Sequence, residues 1–381
     1  MNDIIKTIPI YPVEIDTIYV DKRVKNTTIV HNVQSNIKKY ACYQNTKWIE
    51  IDDYHDIIRK FPPKPETFLD DKKTILIYPE QGKHFHHCPG SDGVLCCRYF
   101  VFDFGMNCPY DCDYCYLQSY LSSSLITVAG NLDELLESAG SKVKENPGIR
   151  WRIGTGEYMD SLALDFLTDS ASIVARYFAD IENCTMEFKT KSTHIHNLLE
   201  QNIQRNSVLS WSLNTEYLIN SVESMTPSLN DRLSAALFAV KSGFRVGFHF
   251  DPLIFYENWE NDYTQLITKL AETIPSEKIC WISIGTFRYS QGLKEFLRVK
   301  KWNEFITKGE MLYYPDKKFR YYYPLRKKMY KKMYQEITNQ FKDVPLYLCM
   351  ESRSIWKDVF GYTPEGPAEL DRKFHARLDT T

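Results

Sequence analysis

The sequence predicts an α/β chain built as a partial (β/α)6 barrel of TIM type, with an N-terminal extension and a C-terminal basic hairpin and helix. Three observations point there: strand-like runs alternate with helical patterns from Arg98 onward, the alternation repeats six times, and the intervening segments carry amphipathic helical spacing. The candidate strands are Arg98 to Phe104, Ile149 to Ile153, Thr185 to Lys189, Val208 to Leu213, Arg245 to Phe250 and Ile279 to Ile284. Between them, Leu132 to Val143, Asp160 to Ala179, His194 to Gln201, Asn230 to Lys241 and Tyr263 to Glu272 place apolar residues on one helical face, with Asn131 and Asn230 as N-caps. Six units suit an open barrel rather than a closed one of eight, and the loops after the strands' C-terminal ends would carry the site.

The flanks divide at 88 and 291. Residues 1–87 have a mixed pattern broken by Pro62-Pro-Lys-Pro65, residues 88–290 form the barrel, and residues 291–381 form the substrate end. There, Met311 to Tyr323 reads as a hairpin turned at Pro315-Asp316, followed by a basic helix over Leu325 to Phe341 and a last strand over Pro345 to Met350. The tail beyond Gly361 reads as loosely ordered.

Composition narrows the class. The 381 residues are 43% hydrophobic and 25% charged, enough to bury a substantial core. Lys and Arg number 47 against 49 Asp and Glu, so a net charge of −2 excludes a uniformly basic nucleic-acid packager and an acidic disordered tail alike. Any polyanion site must be a local patch. Ten cysteines are too few for a disulfide scaffold, the first 30 residues lack a signal peptide's apolar stretch, and no window is apolar enough to span a membrane. The expectation is a cytoplasmic protein whose thiols serve chemistry.

Six of the ten cysteines fall between Cys88 and Cys115. Cys108, Cys112 and Cys115 form a C-x3-C-x2-C motif in the loop after the first barrel strand. Three thiolates so close can hold three irons of a [4Fe-4S] cube and leave the fourth open. The alternatives are a zinc site missing its fourth ligand, although no second C-x2-C half exists downstream, or three unrelated buried cysteines.

This motif resembles the signature of the radical S-adenosylmethionine enzymes, and the resemblance implies a partial barrel, a [4Fe-4S] cluster on Cys108, Cys112 and Cys115, and S-adenosyl-L-methionine on the open iron. Tyr114 would then lie beside the cofactor's adenine. Cys115-Tyr-Leu-Gln118, Trp211-Ser-Leu-Asn214 and Gly247-Phe-His-Phe-Asp-Pro252 further resemble the spore photoproduct lyase family, over most of residues 98–342. Cys88-Pro89, Cys96-Cys97, Gly154-Thr-Gly-Glu157 and Cys349-Met-Glu-Ser352 resemble the lyase-like branch often labelled DNA repair photolyase. The implied activity is repair of a pyrimidine lesion through hydrogen abstraction by a 5'-deoxyadenosyl radical, fed by an external one-electron donor such as flavodoxin or ferredoxin.

One position departs from that family. Aligned on Asp160, the lyase's hydrogen-donating cysteine falls on Glu157, and a carboxylate does not give up a hydrogen atom as a thiol does. Glu157 suits the cofactor's ammonium instead, or caps the helix that follows. The resemblance places Lys191, Ser212 and Asn214 at the cofactor's carboxylate and ribose, and their donor inventory fits. His249 and Asp251 flank Phe250 and so face the same way, toward substrate in a barrel mouth or into the core. Tyr116 matches a hydrogen-relaying tyrosine or is a packing aromatic. His84, His86, His87, Cys88, Cys96 and Cys97 form a second cluster of soft ligands, open to a zinc, redox or packing role, and Cys97 is a candidate replacement hydrogen donor.

Between Arg298 and Lys332 stand 12 Lys and Arg against three acids, a local +9 interleaved with seven tyrosines through Tyr334. This combination suits phosphate neutralisation and base stacking, with Lys317, Lys318, Arg320 and Arg326 the candidate DNA contacts; a solvated helix face explains Lys327, Lys328, Lys331 and Lys332 equally well. Two further classes compete: a radical enzyme acting on a peptide, protein or RNA, and a nucleic-acid-binding protein whose cluster is structural or redox-sensing.

Overall fold

A computed structural model describes residues 8–11, 13–91, 93–97, 99–300 and 310–380. The chain falls into two compact units, each assembled from separated segments: 1–88, 99–111 and 117–208 in the first, and 89–98, 112–116 and 209–381 in the second. These two units interleave along the chain. In the first, Thr74–Tyr78 is parallel to Ile126–Ala129.

The first unit holds a five-stranded sheet in the order Lys47–Ile51, Thr17–Asp21, Thr74–Tyr78, Ile126–Ala129, Gly105–Met106. Its centre is fully buried, as the unbroken apolar run Ile75-Leu-Ile77 requires. Beside it in sequence, Phe85–His87 pairs antiparallel with Phe100–Phe102, which is parallel to Trp151–Gly154, itself parallel to Cys184–Thr190. The first barrel strand is thus shorter than expected, and Arg98 lies outside the described residues. Helix Leu132–Lys144 buries Leu132, Leu135, Leu136, Ala139 and Val143 at the expected spacing. The helix expected over Asp160 to Ala179 is broken into Asp165–Thr168 and Ser170–Ala179 by Asp169 in the left-handed conformation. Asp169, of a residue type that tolerates the left-handed region, accepts there from the distant Asn36 Nδ2 at 3.2 Å.

His194 ties the N-terminal segment into this unit. Its Nδ1 lies 2.9 Å from the Ala163 carbonyl, which can only accept, so Nε2 is left to accept the Tyr11 N–H at 3.1 Å. That geometry demands the neutral imidazole, and burial lowers the pKa to about 4. Between pH 4 and the unfolded value near 6.5 the unfolded chain binds the extra proton. Stability therefore rises with pH across that window, by up to about 3 kcal/mol from this group. Urea midpoints measured from pH 4 to 7 should show this slope flattened in His194→Gln; parallel curves would refute it.

In the second unit Arg245–Leu253 is parallel to Ile279–Thr286, which is parallel to Leu346–Leu348, and Leu209 to Ser212 flank the first of these. Trp211, Trp281 and Trp356 are fully buried in its core. Met311–Tyr313 and Lys318–Tyr321 form the expected hairpin, with Lys317 left-handed at φ 60° in the turn, and Arg288–Ser290 adds a third strand. Helix Tyr323–Gln340 follows. The tail is ordered, contrary to expectation: Pro367–Thr380 is a helix whose Leu370, Phe374 and Leu378 are buried, spaced four apart on one face. Among the described residues no helix is long and apolar enough to cross a membrane.

Candidate active site

The cysteine loop is held from both ends. In the first unit, Asn107 adopts φ 69°, a conformation Asn tolerates, and its side chain accepts the Cys108 N–H at 2.9 Å while donating to the Ser124 carbonyl at 2.7 Å. Buried Lys72 donates to the Tyr110 carbonyl at 2.6 Å. In the second unit, the Asp113 N–H donates to the Val222 carbonyl at 2.9 Å, and Lys300 pairs with Asp113 at 3.1 Å. All ten cysteines are thiols in the described structure. Cys112 is buried, whereas Cys108 and Cys115 are partly exposed. This donor set fits an iron-sulfur cluster: three soft ligands on one short loop with solvent access for a fourth group. Among the described residues no three His, Cys, Asp or Glu side chains are gathered closely enough to ligate one ion, so the assignment rests on donor type and spacing.

Tyr114 is buried, and its hydroxyl donates to Glu223 Oε1. Glu223 is itself paired with Arg232 at 2.7 Å, both side chains being essentially inaccessible. Arg232 also donates to the carbonyls of Ser212 at 3.1 Å and Pro227 at 3.0 Å. Burial opposes its charge, yet Glu223 beside it holds the pKa above the usual value. Asn214 belongs to the same network, donating to Glu223 at 3.3 Å and accepting from Tyr263 Oη at 2.7 Å. The structure thus gives the Asn214 amide buried protein partners where a ribose contact was expected. Ser212 lies buried at the strand end, its backbone carbonyl joined to this network through Arg232.

Glu157 sits half-buried in the first unit with Tyr99 Oη 3.4 Å away. Asp160 shapes the loop behind it, accepting from the backbone N–H of Leu162, Ala163 and Lys191 at 3.0, 2.9 and 2.7 Å. These bonds fix Lys191 at the end of its strand. In the second unit His249 and Asp251 follow the strand alternation, but each has a protein partner. His249 Nδ1 is 2.6 Å from Ser283 Oγ, and Asp251 is held by both guanidinium nitrogens of Arg288 at 3.1 and 3.2 Å. Tyr116 exposes 38% of its surface, against the packing alternative.

The soft-ligand cluster separates by unit. Phe85–His87 is a strand of the first, whereas Leu95 bridges Glu351 in the second. Cys96 and Cys97 thereby stand within electrostatic reach of Cys349, whose thiol burial pushes well above its usual pKa. Cys97 is buried, and Arg288 Nη2 approaches Cys349 Sγ to 3.7 Å.

The basic stretch needs correction. Arg320 is 2% exposed and paired with Asp316 at 2.5 Å and Glu351 at 3.6 Å; Arg326 is 3% exposed and paired with Glu351 at 2.8 Å. Both guanidinium groups brace the hairpin base from within, because a buried carboxylate outcompetes solvent for them. Lys318 donates to Ser91 Oγ at 3.0 Å, and burial lowers its pKa. Lys317 is exposed at the turn. On the following helix Lys327, Lys328 and Lys332 pair with Asp358, Glu260 and Glu336, as a solvated face would. Residues 301–309, with Lys301 and Lys308, lie outside the described residues.

Sequence reasoning missed Glu223, Arg232, Arg288 and Glu351. Only Glu351 stands in a motif, Cys349-Met-Glu-Ser352, and each becomes significant through a partner 9 to 37 positions away.

The overall architecture is that of the solved spore photoproduct lyases, which fixes the fold as a curled half-barrel. A double mutant with bound AdoMet and dinucleoside spore photoproduct superimposes with TM-score 0.74 at 22% identity, covering 88% of this chain and 98% of that one. A spore photoproduct lyase complexed with dinucleoside spore photoproduct gives 0.74 at 21% identity, covering 89% and 99%. The family model "Spore photoproduct lyase" matches residues 18–347, and the chain belongs to that family. Relatives include the spore photoproduct lyases of Bacillus subtilis (strain 168), 26% identical over 226 residues, and of Geobacillus sp. (strain Y412MC61), 28% identical over 223 residues. Each match spans 58% of this chain and 64% of the relative's own length.

Proposed function

We propose that this chain is a radical S-adenosylmethionine lyase acting on a pyrimidine lesion in DNA. The observation that carries the reading is the Cys108, Cys112 and Cys115 spacing in the loop after the first barrel strand of a spore photoproduct lyase family member. When bound and reduced, the [4Fe-4S] cluster and S-adenosylmethionine supply a 5'-deoxyadenosyl radical that takes hydrogen from the lesion. The three thiolates would hold the cluster and Tyr114 would back the adenine. Glu157 would take the cofactor's ammonium, Lys191 its carboxylate and Ser212 its ribose. Asn214 positions that strand end through Tyr263 and Glu223. An acidic flavoprotein or ferredoxin-type donor would supply the electron.

Glu157 cannot return a hydrogen atom, so a thiol elsewhere must. Cys97 would be that thiol, buried and within electrostatic reach of Cys349, with Tyr116 the candidate to return a hydrogen atom to it. Anaerobic assay of a dinucleotide spore photoproduct should give thymine from the wild type and altered products from Cys97→Ala; unchanged products would remove Cys97 from the mechanism.

DNA contact falls to Lys317 at the hairpin tip rather than to Arg320. Lys317→Glu is expected to weaken DNA binding and to reduce the slope of log K against log salt by about one. Arg320→Ala should chiefly lower the unfolding free energy measured in urea, by about 3 kcal/mol, since it strands Asp316. Binding indifferent to salt would defeat the DNA reading in favour of a peptide or protein substrate.

A further inference from the structure

The His84-Phe-His-His87 run left without a role lines a cavity of about 780 Å³ in the first unit, within the roughly 300–1,000 Å³ of small-molecule sites. Phe85 pairs with Phe102, and the Asp103 N–H donates to the His84 carbonyl at 2.8 Å, so His84 and Asp103 face each other across the two strands. Both reach the cavity wall. Asp103 is 94% buried, its relative exposure being 6%, and its Oδ1 has no hydrogen-bond partner. His84 Nε2 is likewise buried and unmatched.

The polarity of these two atoms follows from their neighbours. His86 Nδ1 lies 2.8 Å from the His87 carbonyl and must donate to it, while its Nε2 lies 2.9 Å from Asp103 Oδ2. One proton therefore occupies the Nε2–Oδ2 bond whichever atom owns it, and Oδ1, on a residue of the cavity wall, is left as an acceptor. Burial raises Asp103 to about 7, which tolerates either form of the pair. His84 Nδ1 points at the Gly82 carbonyl 3.3 Å away, leaving Nε2 an acceptor too. Two buried acceptors on paired residues of one cavity wall call for a ligand that brings N–H groups, since an unmatched buried acceptor is costly.

The rest of the wall is aromatic. Tyr120 and Tyr158 stack with ring centroids 5.5 Å apart and planes 9° apart, and Tyr120 leaves 57% of its surface exposed. Such a platform accepts a flat heterocycle. Lys83 and Lys142 stand on the same wall, where a phosphate attached to that heterocycle would be met.

We propose that this cavity binds an amino-bearing nucleobase, cytosine or adenine, either turned out of a nucleic acid or as a free nucleoside. Its exocyclic amino group would donate to Asp103 Oδ1 and His84 Nε2 while the ring lies on Tyr120. A carbonyl in place of the amine, as in uracil or thymine, would set acceptor against acceptor, and a site built to bond N–H groups rejects such an analogue strongly. The nucleic-acid source rests on the proposed DNA function; the nucleoside source does not.

Titration calorimetry on the full chain with cytidine, uridine and short deoxycytidine and thymidine oligonucleotides tests this. Cytosine-bearing probes should bind at least about tenfold more tightly than their uracil or thymine counterparts. Asp103→Leu, which removes the acceptor, should erase that preference, and Tyr120→Ala, at an exposed site that does not threaten folding, should weaken cytosine binding about tenfold. Preference seen only in the oligonucleotides assigns the site to an everted base, and preference in free cytidine assigns it to a nucleoside; both support the proposal. Equal binding of cytidine and uridine types, retention of the preference in both variants, or no binding by any probe would overturn it. Cys112→Ala should keep the preference, so a failure of the radical reading is distinguishable from a failure of this one.

Discussion

Cys112→Ala is expected to remove the iron-sulfur absorbance of anaerobically reconstituted protein and to reduce 5'-deoxyadenosine release under dithionite by at least about a hundredfold. Of the three cysteines it is the buried one, so no water or buffer thiol can easily take its place. The backbone on either side is pinned, at Tyr110 by Lys72 and at Asp113 by Val222, so a neighbouring residue cannot shift in to ligate. Cys184→Ala is the matched control: that thiol is also buried, but it lies at the start of its strand with its Sγ 3.3 Å from the Ile181 carbonyl. It should lose some stability and keep its iron. Cofactor cleavage by reconstituted Cys112→Ala at the wild-type rate would sink both enzyme readings.

The largest expected effect on stability is at Glu223. Truncation to Ala leaves the Arg232 guanidinium charged and fully buried, with only its carbonyl and Thr226 contacts, a loss of about 3–5 kcal/mol. The urea midpoint should fall by more than about 1 M at the m-values of ordinary domains. Because Tyr114 also loses its acceptor, iron retention should fall in parallel. Glu223→Gln preserves an acceptor for Tyr114 and should retain iron better than Glu223→Ala at a comparable cost in stability. A double replacement, Glu223→Leu with Arg232→Met, removes both charges and should recover much of the midpoint. If the double variant is as unstable as Glu223→Ala, the pair is not the source of the effect.

Much of the scaffold is legible in sequence because it is written in short-range patterns. The strand Thr185 to Lys189 alternates Met186 and Phe188 with polar residues, Ile279 to Ile284 is a mostly apolar run, and each is found, extended by a residue or two. Helix Leu132–Lys144 follows from spacing alone. The hairpin follows from Pro315-Asp316, and the cluster loop from three cysteines whose spacing is itself the signal. Where the pattern fails, a longer-range partner has intervened. Asp169 leaves the helical region for bonds to Asn36 and Asn197, and the tail after Gly361 orders because Leu370, Phe374 and Leu378 find a core to enter.

Charge shows the division most sharply. The sequence by itself determined the family, the C-x3-C-x2-C spacing of Cys108, Cys112 and Cys115, and the excess of positive charge between Arg298 and Lys332. It could not say which of those charges face water. Only tertiary structure turned Arg320 and Arg326 inward onto Glu351, left Lys317 at the turn, and enclosed Asp103 with His84 around a cavity. The reason is physical: residue type and spacing set what a side chain can do, but its partners come from distant segments, and burial decides whether a charge is a brace or a contact.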